Sequence, residues 1–169
     1  MSDEDKKEEK PEGSNPPQAG GLMEWTEAMS VGNDVLDDDH KTFFDLAKII
    51  LDVDADNGNT IVFQSALNML ADYVNGHFLR EEKALRAVNY PHFDAHLQKH
   101  KAFRQHVMKI VQEYGEGKND DIRNLPGLVV SWLNQHILAE DMQYKFWIKE
   151  KFVDKRPLAF LAVEAETKG

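Results

Sequence analysis

The sequence predicts an all-α protein, an antiparallel up-down four-helix bundle with an N-terminal extended segment and flexible tails. Apolar residues recur at spacings of three and four along four long stretches, the pattern of helices that each bury one face. Breaks rich in Asn, Asp, Gly and Pro separate the stretches, and such residues reverse a chain. The 169 residues leave room for one domain of about 100 to 150 residues with a sizeable core, plus tails.

Residues 1–21 lack the apolar side chains that would offset the entropy of ordering, so they read as a disordered tail. They hold no secretory apolar run, and nowhere does an apolar segment approach the roughly 18 to 20 residues that span a bilayer. A cytoplasmic protein without membrane insertion is therefore expected. The balance of 20 Lys and Arg against 30 Asp and Glu, a formal charge of -10, offers no basic patch and argues against a nucleic-acid partner. With no cysteine there are no disulfides and no thiolate ligands, so any metal must be held by imidazole and carboxylate.

The bundle is expected over residues 22–151, with a C-terminal extension at 152–169. Its entry segment carries Met23, Trp25, Met29, Val31, Val35 and Leu36 without sustained period, which suits an extended stretch across helix ends, with Trp25 as a core plug. Asp37-Asp38-Asp39 supplies cap and first-turn acids for the first helix. That helix has Phe43, Phe44, Ala47, Ile50 and Leu51 at helical spacing, and His40 lies on the same stripe. Asp56-Asn57-Gly58-Asn59 forms a turn, and Thr60 caps the second helix. Its stripe runs through Val62, Ala66, Leu70, Tyr73 or Val74, His77, Glu81 and Leu85, leaving Glu82 outside.

Asn89-Tyr90-Pro91 ends the second helix, because the residue before proline is pushed out of helical conformation. The third carries Phe93, His96, Leu97, His100, Phe103, Val107, Ile110, Val111 and Tyr114 and stops near Gly115 and Gly117. His92 sits at the start of this helix and His106 falls away from the His96/His100 direction, and both are read as solvated. The fourth helix begins between Asp121 and Gly127, runs to about Lys151, and turns Trp132, Leu133, His136, Ile137, Asp141, Tyr144 and Ile148 inward. Arg156-Pro157 breaks the pattern. The apolar run Leu158 to Val163 could dock on the bundle or mediate an oligomer contact.

Each helix thus places His or carboxylate groups on its apolar side: His40; His77 and Glu81; His96 and His100; His136 and Asp141. Residues four apart share a helix face, so His77-x3-Glu81 and His96-x3-His100 each point two ligand atoms at one place. A buried polar group without a partner costs roughly 1 to 3 kcal/mol, and a shared metal is the natural partner inside a bundle. Seven ligands are too many for a tetrahedral zinc, and a mixed nitrogen and oxygen set suits octahedral iron, so two metals are implied. If both carboxylates and one oxide or hydroxide bridge, about eleven of about twelve positions are filled. One stays open for a small molecule.

The combination of Trp25 in the entry segment, Asp39-His40-Lys41, His77-Phe78-Leu79-Arg80-Glu81, Tyr90-Pro91 before His96-x3-His100, and His136-x4-Asp141 closely resembles hemerythrins of the bacterial single-domain kind, over residues 23 to about 151. The resemblance implies two non-heme irons (Fe2+/Fe3+) with a bridging oxide or hydroxide. His96, His100 and His136 would bind one, His40 and His77 the other, with Glu81 and Asp141 between them. The two-histidine iron would keep the open position, where dioxygen binds as both Fe(II) ions become Fe(III), and Trp132, Leu133 and Ile137 match the apolar residues that screen it. His136 and Asp141 stand five apart, about 140° off a common face in a regular helix, where Glu140 would fit better. The family's spacing favours Asp141, which a local widening of π type would bring round.

The function so implied is reversible dioxygen binding, non-enzymatic, for carriage, storage or delivery to a protein acceptor. An O2 or redox sensor acting on a signalling partner is the alternative. A di-iron oxidase or peroxidase fits less well, because such bundles use Glu-x-x-His pairs and this sequence has none. The oligomeric state is left open.

Overall fold

The computed structural model describes residues 24–53, 60–118 and 122–168, where regular structure is entirely helical. The tail 1–21, Met23, Asp121 and the Asp56-Asn57-Gly58-Asn59 turn lie outside the described residues. Helix α1 spans Asp34–Asp52, α2 Thr60–Ala87 and α3 Phe93–Gly115. Helix α4 runs Leu125–His136 and continues through a π segment at Ile137–Asp141 into a last α turn at Met142–Tyr144. Helix α5 is Leu158–Lys168. The first four form the bundle, α1 lying against both α2 and α4, and α2 against α3.

Helix α1 starts three residues before the expected acids. Asn33 is its N-cap, accepting from the Leu36 backbone N–H at 3.2 Å. Asp37 instead accepts from Ser30 Oγ at 2.7 Å and the Val31 N–H at 2.8 Å, pinning the entry segment to the first turn. Trp25 packs partly buried against the core with Lys41 Nζ 4.6 Å from its ring. Leu36, His40, Phe43, Phe44, Ala47 and Ile50 face inward, but Leu51 is exposed and Leu46 is buried instead. In α2 the inward stripe opens on Phe63, not on the exposed Val62, because Phe63 is the residue one turn before Leu67. The reversal before α3 turns on Asn89, whose φ of 52° is a left-handed value that asparagine tolerates.

Helix α4 stops at Tyr144 and not near Lys151. A turn and the short 3-10 segment Glu150–Phe152 follow, though Ile148 still packs inward against the cluster of Val31, Leu36, Leu85, Tyr90 and Tyr144. The apolar run after Pro157 becomes α5, which lies along α2 with Leu158, Leu161 and Ala162 buried. Gly76 makes this possible: a Cβ there would sit 2.7 Å from the Leu158 carbonyl oxygen, so only glycine admits the backbone that close. Among the described residues no helix is long and apolar enough to cross a membrane.

Candidate metal centre

All seven residues singled out as ligands converge in the middle of the bundle, and each is buried. Helix α1 supplies His40, and α2 supplies His77 and Glu81 one turn apart. His96 and His100 come likewise from α3. On α4 the π segment Ile137–Asp141 begins directly after His136, and its wider i→i+5 ring turns Asp141 onto the histidine's side. Asp141 is 0% exposed, with Oδ1 3.1 Å from His136 Nε2 and 3.6 Å from His96 Nε2, and Oδ2 3.4 Å from His40 Nε2. Glu140 turns away and pairs with Lys99.

The candidate ligand atoms fall into two groups, within each of which they lie no more than 4.8 Å apart: Glu81, His96, His100 and His136 in one, His40, His77 and Glu81 in the other. Glu81 is shared. Its Oε1 touches His96 Nε2 and lies 3.7 Å from His100 Nε2, while Oε2 lies 3.3 Å from His77 Nε2. His100 Nε2 and His136 Nε2 face each other at 3.1 Å. Both nitrogens of His40, Oε2 of Glu81 and both oxygens of Asp141 are buried with no hydrogen-bond partner. Imidazole nitrogens and carboxylate oxygens aimed at common points, with five of these buried atoms left without a hydrogen-bond partner, are the donor set of a cation site, so the residues fit a pair of metal ions.

Burial, and secondarily neighbouring imidazoles, hold His40 well below the ordinary histidine range. Burial does the same to His100 and takes His136 down to about 3, so these rings are neutral and their lone pairs available. At His77 burial works the same way, but the adjacent carboxylates of Asp39 and Glu81 outweigh it and raise the ring to about 9. Burial would raise Glu81, yet the imidazoles of His96 and His100 and its contacts with His77 and His96 hold it well below the usual carboxylate range. Burial, reinforced by the Glu81 charge, pushes Asp141 well above it.

Beyond the seven lie residues that sequence reasoning missed. Asp39 Oδ2 is 3.1 Å from His77 Nδ1, and Arg80 Nη1 donates to both Asp39 oxygens at 2.5 Å. Glu82, expected outside, is half-buried with Oε1 3.0 Å from His100 Nδ1 and 3.5 Å from Arg104 Nη2. The Tyr144 ring stands 5.7 Å from His96, its fully buried hydroxyl without a hydrogen-bond partner. The i+1 position of Glu82 beside Glu81 and the inward register of Tyr144 were the available signals. By residue type nothing distinguished Asp39 from its two acidic neighbours, and its one signal was its place in the Asp39-His40-Lys41 motif.

Aromatic rings close the surroundings. Phe78 stacks on His100 at 3.8 Å, and Trp132 stacks on His136 at 4.3 Å and on Phe103 at 3.9 Å, which places Trp132 on the three-histidine side. Leu133 and Ile137 are buried in one apolar cluster with Phe43, whose ring stands edge-on to His77 at 5.3 Å on the two-histidine side. His92 and His106 are exposed, as expected.

Residues 31–148 match the family model described as "Hemerythrin HHE cation binding domain". A bacteriohemerythrin of Methylococcus capsulatus is 32% identical over 125 residues, covering 73% of this chain and 94% of that protein. A hemerythrin-like protein of Naegleria gruberi is 31% identical over 121 residues, covering 72% of this chain and 89% of that protein. A solved wild-type hemerythrin superposes with a TM-score of 0.70 at 30% identity, over 75% of this chain and 98% of that one. With its bundle, its buried histidine and carboxylate cluster and these matches, the chain belongs to the hemerythrin family.

Proposed function

We propose that the protein binds dioxygen reversibly at a non-heme di-iron centre and serves as a carrier, store or delivery protein. His96, His100 and His136 would hold one iron and His40 and His77 the other, with Glu81 and Asp141 spanning the pair. The observation that carries this reading is the three-plus-two division of five buried imidazoles about one shared carboxylate. Bound there, two ferrous ions would supply the electrons that dioxygen binding needs.

The chain's own contribution is orientation and exclusion of water. The π segment of α4 presents Asp141 beside His136, and Asp39 fixes the His77 ring through Nδ1 so that Nε2 faces inward. Phe43, edge-on to His77, and the cluster it shares with Leu133 and Ile137 would keep the two-histidine side apolar, which favours a small neutral gas and excludes the water that would promote irreversible oxidation. Trp132 shields the three-histidine side by its stack on His136.

A second reading, an O2 or redox sensor, draws support from the contact of Arg80 with the chain leading into α5, a helix beyond the family match. One experiment separates the readings: load Fe(II) without air, expose the protein to O2, remove the gas and follow the visible spectrum. A colour change that reverses supports carriage. Irreversible oxidation favours a redox sensor, and turnover of an added reductant favours an oxidase.

A further inference from the structure

Helix α5 is not simply laid on the bundle; it is wired to a ligand. Arg80, 3% exposed, uses its guanidinium as a two-ended clamp. Nη1 holds the Asp39 carboxylate, which contacts His77 Nδ1, and Nη2 donates to the backbone carbonyl of Arg156, two residues before α5. The same stretch is fixed to α2 a second time: Lys83 Nζ contacts Asp154 at 3.0 Å and Glu164 at 3.4 Å, and Arg156 also binds both acids. Gly76, next to His77 in the chain, admits the start of α5 onto the helix. His100 has a similar carboxylate-arginine pair, Glu82 and Arg104.

We infer that Asp39 and Arg80 are positioning residues for His77, and that Arg80 takes its own position from the docked C-terminal segment, so that displacing α5 alters the His77 side of the metal centre. This rests on the di-iron reading above. A carboxylate on the far nitrogen of a ligating histidine fixes the ring's tautomer and direction and makes it a stronger donor, and losing such a partner weakens metal affinity by roughly 10- to 100-fold. An arginine fork is suited to the linking role because its two donor ends lie in one rigid plane, whereas a lysine has a single point of attachment.

The test uses full-length protein carrying Asp39→Asn, Arg80→Lys or Leu161→Ser. Leu161 is 0% exposed on the α5 face against the bundle, so the serine loosens α5 without touching α2. Three quantities are measured: the rate of iron release to a chelator, the reduction potential, and the melting temperature of the iron-free protein. Asp39→Asn should release iron about 10- to 100-fold faster. Its potential should rise, because a weaker donor stabilises Fe(III) less; each tenfold change in the Fe(III)/Fe(II) affinity ratio is about 59 mV for one electron. Arg80→Lys and Leu161→Ser should also release iron faster, with Glu82→Gln as a comparison in which α5 stays docked. If Asp39→Asn keeps the wild-type release rate and potential, whatever its melting temperature, the positioning role is wrong. If Leu161→Ser opens residues 154–168 to protease yet releases iron at the wild-type rate, the coupling is wrong. Wild-type protein that takes up no iron would overturn the di-iron reading itself, a distinct failure.

Discussion

The π segment of α4 yields a prediction with opposite signs in the two forms of the protein. Without the widening, residue 141 would stand about 140° from His136 and point at α4's outer flank. With it, Asp141 is fully buried and its oxygens reach toward His136, His40 and His96 without a hydrogen bond to any of them. A buried polar group in that condition costs about 1 to 3 kcal/mol, and Asp141→Ala relieves it while opening a small void worth about 1 kcal/mol. The iron-free variant should therefore be as stable as wild type or up to about 2 kcal/mol more so, a rise of roughly 0 to 8 °C in melting temperature at about 2 to 4 °C per kcal/mol. The iron-loaded variant should lose a bridging ligand and with it at least the about 100-fold affinity that even outer partners can contribute. Glu140→Ala removes only a partly exposed pair with Lys99, worth about 0 to 1 kcal/mol, and should keep its iron. The assay is iron per chain after chelator challenge, with melting curves of both forms. Loss of iron only in the Glu140 variant, or an Asp141 variant that keeps both irons, would refute the reasoning.

Acid should act on both forms. In the iron-free fold His40, His100 and His136 are depressed, His136 to about 3, so the unfolded chain takes up protons first; their contribution is complete above about pH 6.5 and lost as pH falls toward 3. His77, raised to about 9, contributes fully below 6.5 and loses its contribution as pH rises through 9. Urea midpoints of iron-free protein should accordingly peak between those limits. Loaded protein should release iron on acidification because ligating imidazoles must be unprotonated, and a centre that stays loaded at about pH 4 would contradict the ligand set. Tyr144→Phe deletes a fully buried hydroxyl without a hydrogen-bond partner, so the iron-free melting temperature should hold or rise, and a loss of more than about 1 kcal/mol would show that the hydroxyl has a partner in solution. Asn33→Ala should cost about 1 kcal/mol by urea denaturation through the lost cap of α1, without altering iron content.

The faces of the four bundle helices were legible in the sequence because burial on one side imposes a 3.6-residue period, and the histidines and acids stood on that period. Where the period does not speak, the reading failed. Asn33 and three consecutive aspartates are all capping residues, so the start of α1 could be placed on any of them, and nothing local reveals that Asp37 ties down the entry segment while Asp39 turns to His77. Ile148 extended the inward pattern of α4 past the point where its backbone stops, because a side chain can be buried from a turn as well as from a helix. The second buried face of α2, with Ala71, Asn75, Gly76 and Arg80, followed no stripe a four-helix bundle requires. Its one signal was Gly76, a residue that costs a helix interior about 1 kcal/mol relative to alanine unless another backbone needs the space.

The placement of the centre explains how such a core is tolerated. Five of its buried atoms, on His40, Glu81 and Asp141, have no hydrogen-bond partner, and at about 1 to 3 kcal/mol each they would together cost an amount comparable to the whole stability of a typical domain. Apolar clusters lie on both sides of it along the bundle. One joins Phe43, Phe44, Leu67, Leu70, Val107 and Leu133, and the other joins Val31, Leu36, Leu85, Tyr90 and Tyr144. These clusters hold the four helices in register independently of any ion, so the ligands are preorganised and the polar atoms stay aimed at one another. A cation that satisfies them binds the folded state alone, and its binding free energy adds to folding where the apolar contacts are interrupted. The same reasoning makes the two metal positions interdependent. Glu81 belongs to both, so whatever fixes its carboxylate for the three histidines on one side also fixes it for His40 and His77 on the other.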